Sequence, residues 1–478
     1  MNTHIARRAG IPPFYVMDVW LAAAERQRTH GDLVNLSAGQ PSVGAPEPIR
    51  AAAAAALHLN ELGYTVALGI PELRAAIAAD YHRQHGISVE PEAVVITTGS
   101  SGGFLLTFLA CFDVGDRVAL ASPGYPCYRN ILSALGCEVV EIPCGPETRF
   151  QPTADMLAQI DPPVQGVIVA SPANPTGTVI PPEELAAIAS WCDASGARLI
   201  SDEVYHGLVY EGAPPTSCAW QTSRNAVVVN SFSKYYAMTG WRLGWLLVPT
   251  ELRRAVDCLT GNFTICPPVL SQVAAVSAFT PEATKEADGN LRHYASNRST
   301  LLDGLRRIGI DRLAPTDGAF YVYADVSDFT DDSLKFCSKL LADTGVAIAP
   351  GIDFDTTGAG IHSSGCHSRG RAKTSERPCA GSSPGYPSAN RPAASPVFGS
   401  KTDLVDAGLE PAAFTDVGNV DAEPVAQRVD YRGSVFQQDL LGPATSVDGQ
   451  VAAHQVPPGI VGDGRGHQPG DKVRRWVR

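Results

Sequence analysis

The sequence predicts an α/β fold, a mostly parallel central sheet with helices on both faces, followed by a smaller α+β domain. Three observations predict it. Short apolar, β-branched runs recur from Val94 to Val248, with helix-like segments between several of them. Near Pro281 this rhythm gives way to a long helical stretch and then to isolated strands and a helix. Beyond Gly358 about a third of the residues are Gly, Pro or Ser and large aliphatics are scarce, a compositional mark of disorder.

Taken in order, residues 1–45 show little clear periodicity and read as an N-terminal arm, with Asn35–Pro41 a strand passing into a turn. Pro48–Leu59 is alanine-rich and helical. Pro71 suits the first turn of a helix running to about His85. Strands are expected at Ala93–Thr97, Arg117–Leu120, Cys137–Val140, Gly166–Ala170, Arg198–Ser201, Ala226–Val229 and Leu243–Val248, with helices at Phe104–Cys111 and Pro182–Ser195. These make a large domain over residues 46–280. A smaller, incomplete domain covers 281–357. It holds a helix from Pro281 toward Arg307, with Gly289 its weak point, a strand Gly318–Ala324, a helix Asp332–Thr344 and a strand Val346–Ala349. Residues 358–478 are expected to be an aberrant, disordered tail.

The net charge of −12 argues against a binder of nucleic-acid backbone. The acidic excess lies wholly before the tail, where 37 acidic residues face 24 basic ones; the tail carries 13 basic and 12 acidic. The 11 cysteines form no C-x-x-C pair, and their odd number fits no closed disulfide set. A reduced cytoplasm is the expected compartment, with no metal site. Pro12, Pro13 and Asp18 interrupt any leader-like run, and no 18-residue apolar stretch is present, so no membrane span is expected.

In an open α/β sheet, ligands bind beyond the carboxyl ends of the strands. Four strand ends carry candidates. Thr97-Thr-Gly-Ser-Ser-Gly-Gly103 opens a helix with free backbone N–H groups, which suit an anion. It matches neither G-x-G-x-x-G nor a Walker A motif. Ser171-Pro-Ala-Asn-Pro-Thr-Gly177 fixes Asn174 in a rigid loop, although Asn-Pro also marks plain turns. Asp202, in Asp202-Glu-Val-Tyr205, needs a cationic partner if enclosed, or it takes up a proton; an N-cap role is the plainer alternative. Lys234, in Ser231-Phe-Ser-Lys234, could form a Schiff base with an aldehyde cofactor, and Ser231 and Arg242 could hold that cofactor's phosphate. A single lysine is more commonly a solvated loop residue; the four sites together point elsewhere.

Asn174-Pro-Thr-Gly177, Asp202-Glu-Val-Tyr205, Ser231-Phe-Ser-Lys234 and Gly240-Trp-Arg242, at spacings of 28, 32 and eight residues from Asn174 to Asp202, Lys234 and Arg242, resemble the class I/II aminotransferases. These are pyridoxal 5'-phosphate enzymes of the aspartate-aminotransferase-like fold type I, and the resemblance covers about residues 10–357. It implies that Lys234 holds the cofactor and shuttles the substrate's α-proton, while Asp202 keeps the ring nitrogen protonated. It further implies that Asn174 and Tyr205 bond the ring's phenolic oxygen and that Tyr125 stacks on its face. Ser231, Arg242 and the turn Gly99-Ser100-Ser101 would hold the phosphate. Tyr64 would reach the phosphate of a neighbouring subunit, implying a homodimer, and Gly39 would lie near the substrate carboxylate. The substrates would be an amino acid and a 2-oxo acid.

Two departures from the family pattern bear on function. Some aspartate-specific relatives have lysine at the position of Ser101; a serine cannot pair with a distal carboxylate, which favours neutral donors such as alanine or valine over aspartate. After Phe354 the family continues into a strand bearing the arginine that clamps the α-carboxylate, whereas this chain runs Thr357-Gly-Ala-Gly-Ile-His-Ser-Ser-Gly-Cys-His-Ser-Arg-Gly370, with no such strand expected. A reading-frame shift near Thr357 accounts for this: with suitable third bases, the codons of Gly358–Gly370 read in another frame give Arg-Gly-Asn-Pro-Leu-Val-Arg-Met-Ser-Phe-Ala-Gly. The coding DNA tests it. Such a chain would be impaired by loss of the arginine. The alternatives are a lyase of the same fold, an inactive frameshifted product, or a ligand-sensing regulator, which would need a basic helix-turn-helix that the sequence does not show.

Overall fold

The computed structural model describes residues 4–356, apart from Ala38, Asn60 and Glu61, together with the strand Ser363–Ser364. The rest of the expected tail, including the proposed frame shift and the missing arginine, lies outside the described residues.

Strand β1 (Val34–Asn35) stands apart from the main sheet. That sheet has seven strands: β2 (Val94–Thr97), β3 (Arg117–Ser122), β4 (Glu138–Pro143), β5 (Gly166–Ala170), β6 (Arg198–Asp202), β7 (Val227–Ser231) and β8 (Gly244–Leu247). Their order is β2-β8-β7-β6-β5-β3-β4, and only β8 runs antiparallel to its neighbours. Strands covered on both faces must be apolar throughout. Accordingly β2 and β7 are buried at every residue. Alternate side chains enter two separate cores: Val94, Ile96 and Val228 pack on one face, and Val95, Val227 and Val229 on the other.

β9 (Ala324–Asp325) and β10 (Val346–Ala347) build two small pairs. β10 pairs in parallel with β1, and β9 pairs antiparallel with β11 (Ser363–Ser364). The helix Pro281–Arg307 leads into this region, its first turn capped by the Thr280 hydroxyl accepting from Ala283 N. A core of Val34, Leu302, Leu305, Val322, Leu340 and Ile348 joins β1, β10 and the helices Pro281–Arg307 and Ser333–Thr344.

The structure corrects the sequence reading in five places. The first 45 residues contain a 16-residue helix, Tyr15–His30. Only Val16 and Ala23 are buried on it, so its apolar stripe is too thin to register as a period. It is secured instead by Arg26, bonded through two nitrogens to Asp32 just past the helix end and to the distant carbonyl of Ala342. Gly289 does not interrupt the helix Pro281–Arg307, because buried Ala287 and Tyr294 pack on either side of it. Of the expected strand Gly318–Ala324 only the end is a strand. Thr316 and Ala319 have φ of 46° and 56°, and Gly318 N and Ala319 N bond the carbonyls of Gly177 and Leu208 rather than a strand partner. The strand expected over Val346–Ala349 stops at Ala347. Finally, Ser363–Ser364 forms a two-residue strand where none was expected. Pairing to β9 uses main-chain groups, which any sequence supplies.

Candidate active site

The carboxyl ends of β2, β5, β6 and β7, with the turn after β3, surround a cavity of about 410 Å³. Ser100 and Ser101 reach it from the start of the helix Gly99–Cys111, Asn174 from the loop after β5, and Asp202 and Tyr205 from the end of β6. Ser233, Lys234 and Arg242 follow β7. Tyr125 lies in the turn that follows β3. Gly39, after β1, and Tyr321, in the turned segment before β9, complete the ring.

Lys234 Nζ donates to the carbonyl of Gly39 at 2.6 Å and stands 5.6 Å from the Tyr205 ring centre. Burial pushes its amine down to about 8, as does Arg242, against the pull of Asp202. Asp202 is the last residue of β6 and is buried. Its Oδ2 accepts from the Tyr128 hydroxyl and its Oδ1 from Val204 N at 3.1 Å. Burial raises it to about 6, and the Tyr128 and Val204 bonds and the Lys234 charge limit the rise. The Tyr205 hydroxyl meets that of Tyr321 at 2.5 Å, and burial holds the Tyr205 phenol well above its ordinary value. Gly39 allows this crowding, since a Cβ there would lie 2.5 Å from the Tyr321 hydroxyl.

Arg242 adopts φ 53°, and its Nη1 donates to the carbonyl of Thr239 at 3.0 Å. Its Nη2 lies 2.5 Å from where a Cβ on Gly99 would be, and Gly99 itself has φ 73°. A side chain at 99 would push the guanidinium off the helix start. Three expected residues are not in the cavity lining: Gly99, which stands behind it against the Arg242 guanidinium, Ser231 and Tyr64. Ser231 is buried beneath it, its hydroxyl 2.9 Å from that of Ser233 and 3.2 Å from the carbonyl of Leu243. Tyr64 is 84% exposed and outside the lining. Sequence reasoning missed Ser233, Tyr128, Tyr321 and an apolar wall of Phe14, Val16, Met17, Trp20 and Phe354. Ser233, next to Lys234, was readable. The wall was not, because it belongs to the unrecognised helix Tyr15–His30 and a distant turn.

A sequence signature described as "Aminotransferase class I and II" matches residues 31–371. The chain belongs to the class I and II aminotransferase family. It is 89% identical over 360 residues to the valine–pyruvate aminotransferase of Mycobacterium tuberculosis, covering 75% of this chain and 93% of that one. It is 35% identical over 358 residues to an aspartate/prephenate aminotransferase of Thermus thermophilus, covering 92% of it. The crystal structure of an aminotransferase from M. tuberculosis matches with a TM-score of 0.75 at 89% identity, over 75% of this chain and 93% of that one. An aspartate aminotransferase from T. thermophilus with maleate matches with a TM-score of 0.70 at 34% identity, over 74% and 92%.

Aminotransferase family membership implies pyridoxal phosphate, and this cavity suits it. Asn174 Oδ1 is buried without a partner at the lining. A guanidinium, two serines and a helix N-terminus converge at one end, a donor set for phosphate. A buried carboxylate lacking a guanidinium or metal partner among the described residues suits a pyridinium.

Proposed function

We propose that this chain is a pyridoxal-5'-phosphate-dependent aminotransferase that moves the amino group of a neutral L-amino acid, valine or alanine, to a 2-oxo acid such as pyruvate. The observation that carries the reading is the lysine amine, lowered to about 8, sharing one cavity with a buried carboxylate. Bound pyridoxal phosphate would supply an aldehyde for the amino group and an electron-accepting ring. Lys234 Nζ would hold the cofactor's aldehyde, and its amine is the base for the proton on the donor's α-carbon. Asp202 keeps a proton on the ring nitrogen, and Tyr128 and Val204 N fix its carboxylate. Asn174 and Tyr205 would bond the cofactor's phenolic oxygen, and Tyr125 would pack against its ring. Arg242, Ser100, Ser101 and the Gly99 turn take the phosphate, with Ser233 at the cavity and Ser231 holding it from below. Gly39 lies near the substrate carboxylate.

Two findings support a neutral donor. Among the described residues Lys234 and Arg242 are the only cations that line the cavity, and neither is left for a distal carboxylate. The relative at 89% identity is a valine–pyruvate aminotransferase. A homodimer is supported by exposed Tyr64, Val66, Phe263 and Ile265, at 84, 60, 58 and 52%. Their segments adjoin, since a Cβ on Gly261 would lie 4.0 Å from that of Ala67. A cytoplasmic home is supported by the free cysteines Cys111, Cys127, Cys137, Cys192, Cys218, Cys258 and Cys266. We also propose that the shifted end impairs turnover. Two lost bonds to a carboxylate, at about 1.5–3 kcal/mol each, correspond to about a hundred- to ten-thousand-fold.

Borohydride treatment after loading with pyridoxal phosphate should leave a pyridoxyl group on the peptide containing Lys234. Mixed with single amino acids, the loaded chain should release 2-oxo acid from valine and alanine and not from aspartate. No label on that peptide, or release from aspartate as fast as from valine, overturns the reading.

A further inference from the structure

The apolar wall of the cavity hangs on one residue from the other end of the fold. Val16 N, in the first turn of the helix Tyr15–His30, donates to Asp353 Oδ2 at 2.9 Å, across 337 residues of sequence. Asp353 is buried at 2% exposure. Its own segment is stitched to the turn that bears Tyr125. The carbonyl of Asp353 accepts from Arg129 Nη2 at 3.0 Å, that of Phe354 from Gly124 N at 2.9 Å, and Asp355 Oδ1 from the Ser122 hydroxyl at 3.0 Å. The carboxylate therefore joins a fixed turn to the start of a helix whose Val16, Met17 and Trp20 line the same cavity as Lys234.

That end of the helix is otherwise held by side-chain packing, Trp20 and Phe14 against Val16, Ala349 and Phe354, and Val19 against Leu341 and Ala347. Val16 is its only buried residue in the first two turns, and it rests on Ala349 and Phe354. Phe14, which precedes the helix, makes no side-chain cap. A carboxylate accepting N–H groups at a helix start supplies what such a cap would, and it also complements the helix dipole.

We propose that Asp353 is a positioning residue that fixes the helix Tyr15–His30 as the wall against the amino donor's side chain, and so sets the preference for a compact apolar donor. This rests on the reading that the cavity takes the donor. Without the carboxylate the first turns open, the wall recedes, and a branched side chain loses its contacts. The reacting groups on β6 and after β7 stay in place.

The test compares the full chain with D353A and D353N by hydrogen–deuterium exchange and by discharge of the loaded proteins with valine and glycine. In D353A, amides of residues 16–20 should exchange about ten- to a hundredfold faster, as loss of a charge-assisted bond implies. Amides of β7 should be unchanged. Half-saturation by valine should rise about tenfold, with glycine and the limiting rates nearly unaltered. D353N keeps an acceptor oxygen and should restore most of both. If D353A does not fold, D353S, too short to reach Val16 N, takes its place. Unchanged exchange at 16–20, or acceleration spread equally through β7, overturns the proposal. If no amino acid discharges the protein, the functional reading fails, while the exchange result still decides whether Asp353 holds the helix.

Discussion

Glu203, next to Asp202, is fully buried. Its Oε1 accepts from the Ser201 hydroxyl at 3.0 Å and from Ala219 N at 2.9 Å. Its Oε2 faces His206 Nδ1 at 3.5 Å. Burial pushes the acid from 4.5 up to about 7 and the imidazole down to about 3. Below about pH 7 the pair is thus a protonated acid beside a neutral ring, not an ion pair. The folded chain holds this proton more tightly than the unfolded one. The stability it contributes is therefore fully present below about pH 4.5 and is lost as pH rises through about 7. At about 1.4 kcal/mol per pH unit, about 3 kcal/mol disappears between pH 5 and 8. For ~350 ordered residues at ~2.1 cal/mol/K each, that is a fall in Tm of about 4 °C. Glu203→Gln keeps the acceptor for Ser201 and Ala219 and places an N–H toward His206, but cannot ionise. Scanning calorimetry of both proteins at pH 5 and 8 should show the wild type losing about 4 °C relative to the variant. Parallel profiles would falsify a protonated, buried Glu203.

Other consequences are open to measurement. Capture of pyridoxal phosphate needs the neutral amine, so its rate should climb with pH to a midpoint near 8 and then level off, where an ordinary lysine would still be rising at 10; stopped-flow absorbance reads it. Asp202→Asn should lower turnover at least about a hundredfold, the scale of losing one fixed electrostatic partner, with cofactor still retained by Lys234. Gly99→Ala combines a left-handed residue, costing about 1–2 kcal/mol, with a clash against Arg242, so cofactor affinity by equilibrium dialysis should fall about tenfold or more. A chain rebuilt with the alternative frame after Thr357 should turn over about a hundred- to ten-thousand-fold faster than the present one; equal rates would remove the arginine from the account.

The sheet was legible because burial on both faces leaves only apolar β-branched runs such as Val227–Val229, which have few other readings. The cavity's strand-end residues were legible for a related reason: Asn174, Asp202 and Lys234 each follow such a run. What escaped depends on contacts distant in sequence. The helix Tyr15–His30 has too thin an apolar stripe to show a period, and its position comes from Asp353 and the Ala342 carbonyl. Tyr321 looked like one alternation of a strand. The positive φ at Ala319, set by the neighbouring Gly177 and Leu208 loops, turns it to Tyr205 instead. Ser231 fell short of the cavity by the two residues that separate it from Ser233.

The bond between Val16 and Asp353 also sets an order of events during synthesis. A ribosome adding about 5–20 residues per second emits the helix about 17–70 s before its anchor exists. Throughout that interval the strands of the main sheet can assemble while Val16, Met17 and Trp20 have nothing to hold them. A chaperone that shields apolar segments would find its target there, at the oldest part of the nascent chain and not the newest.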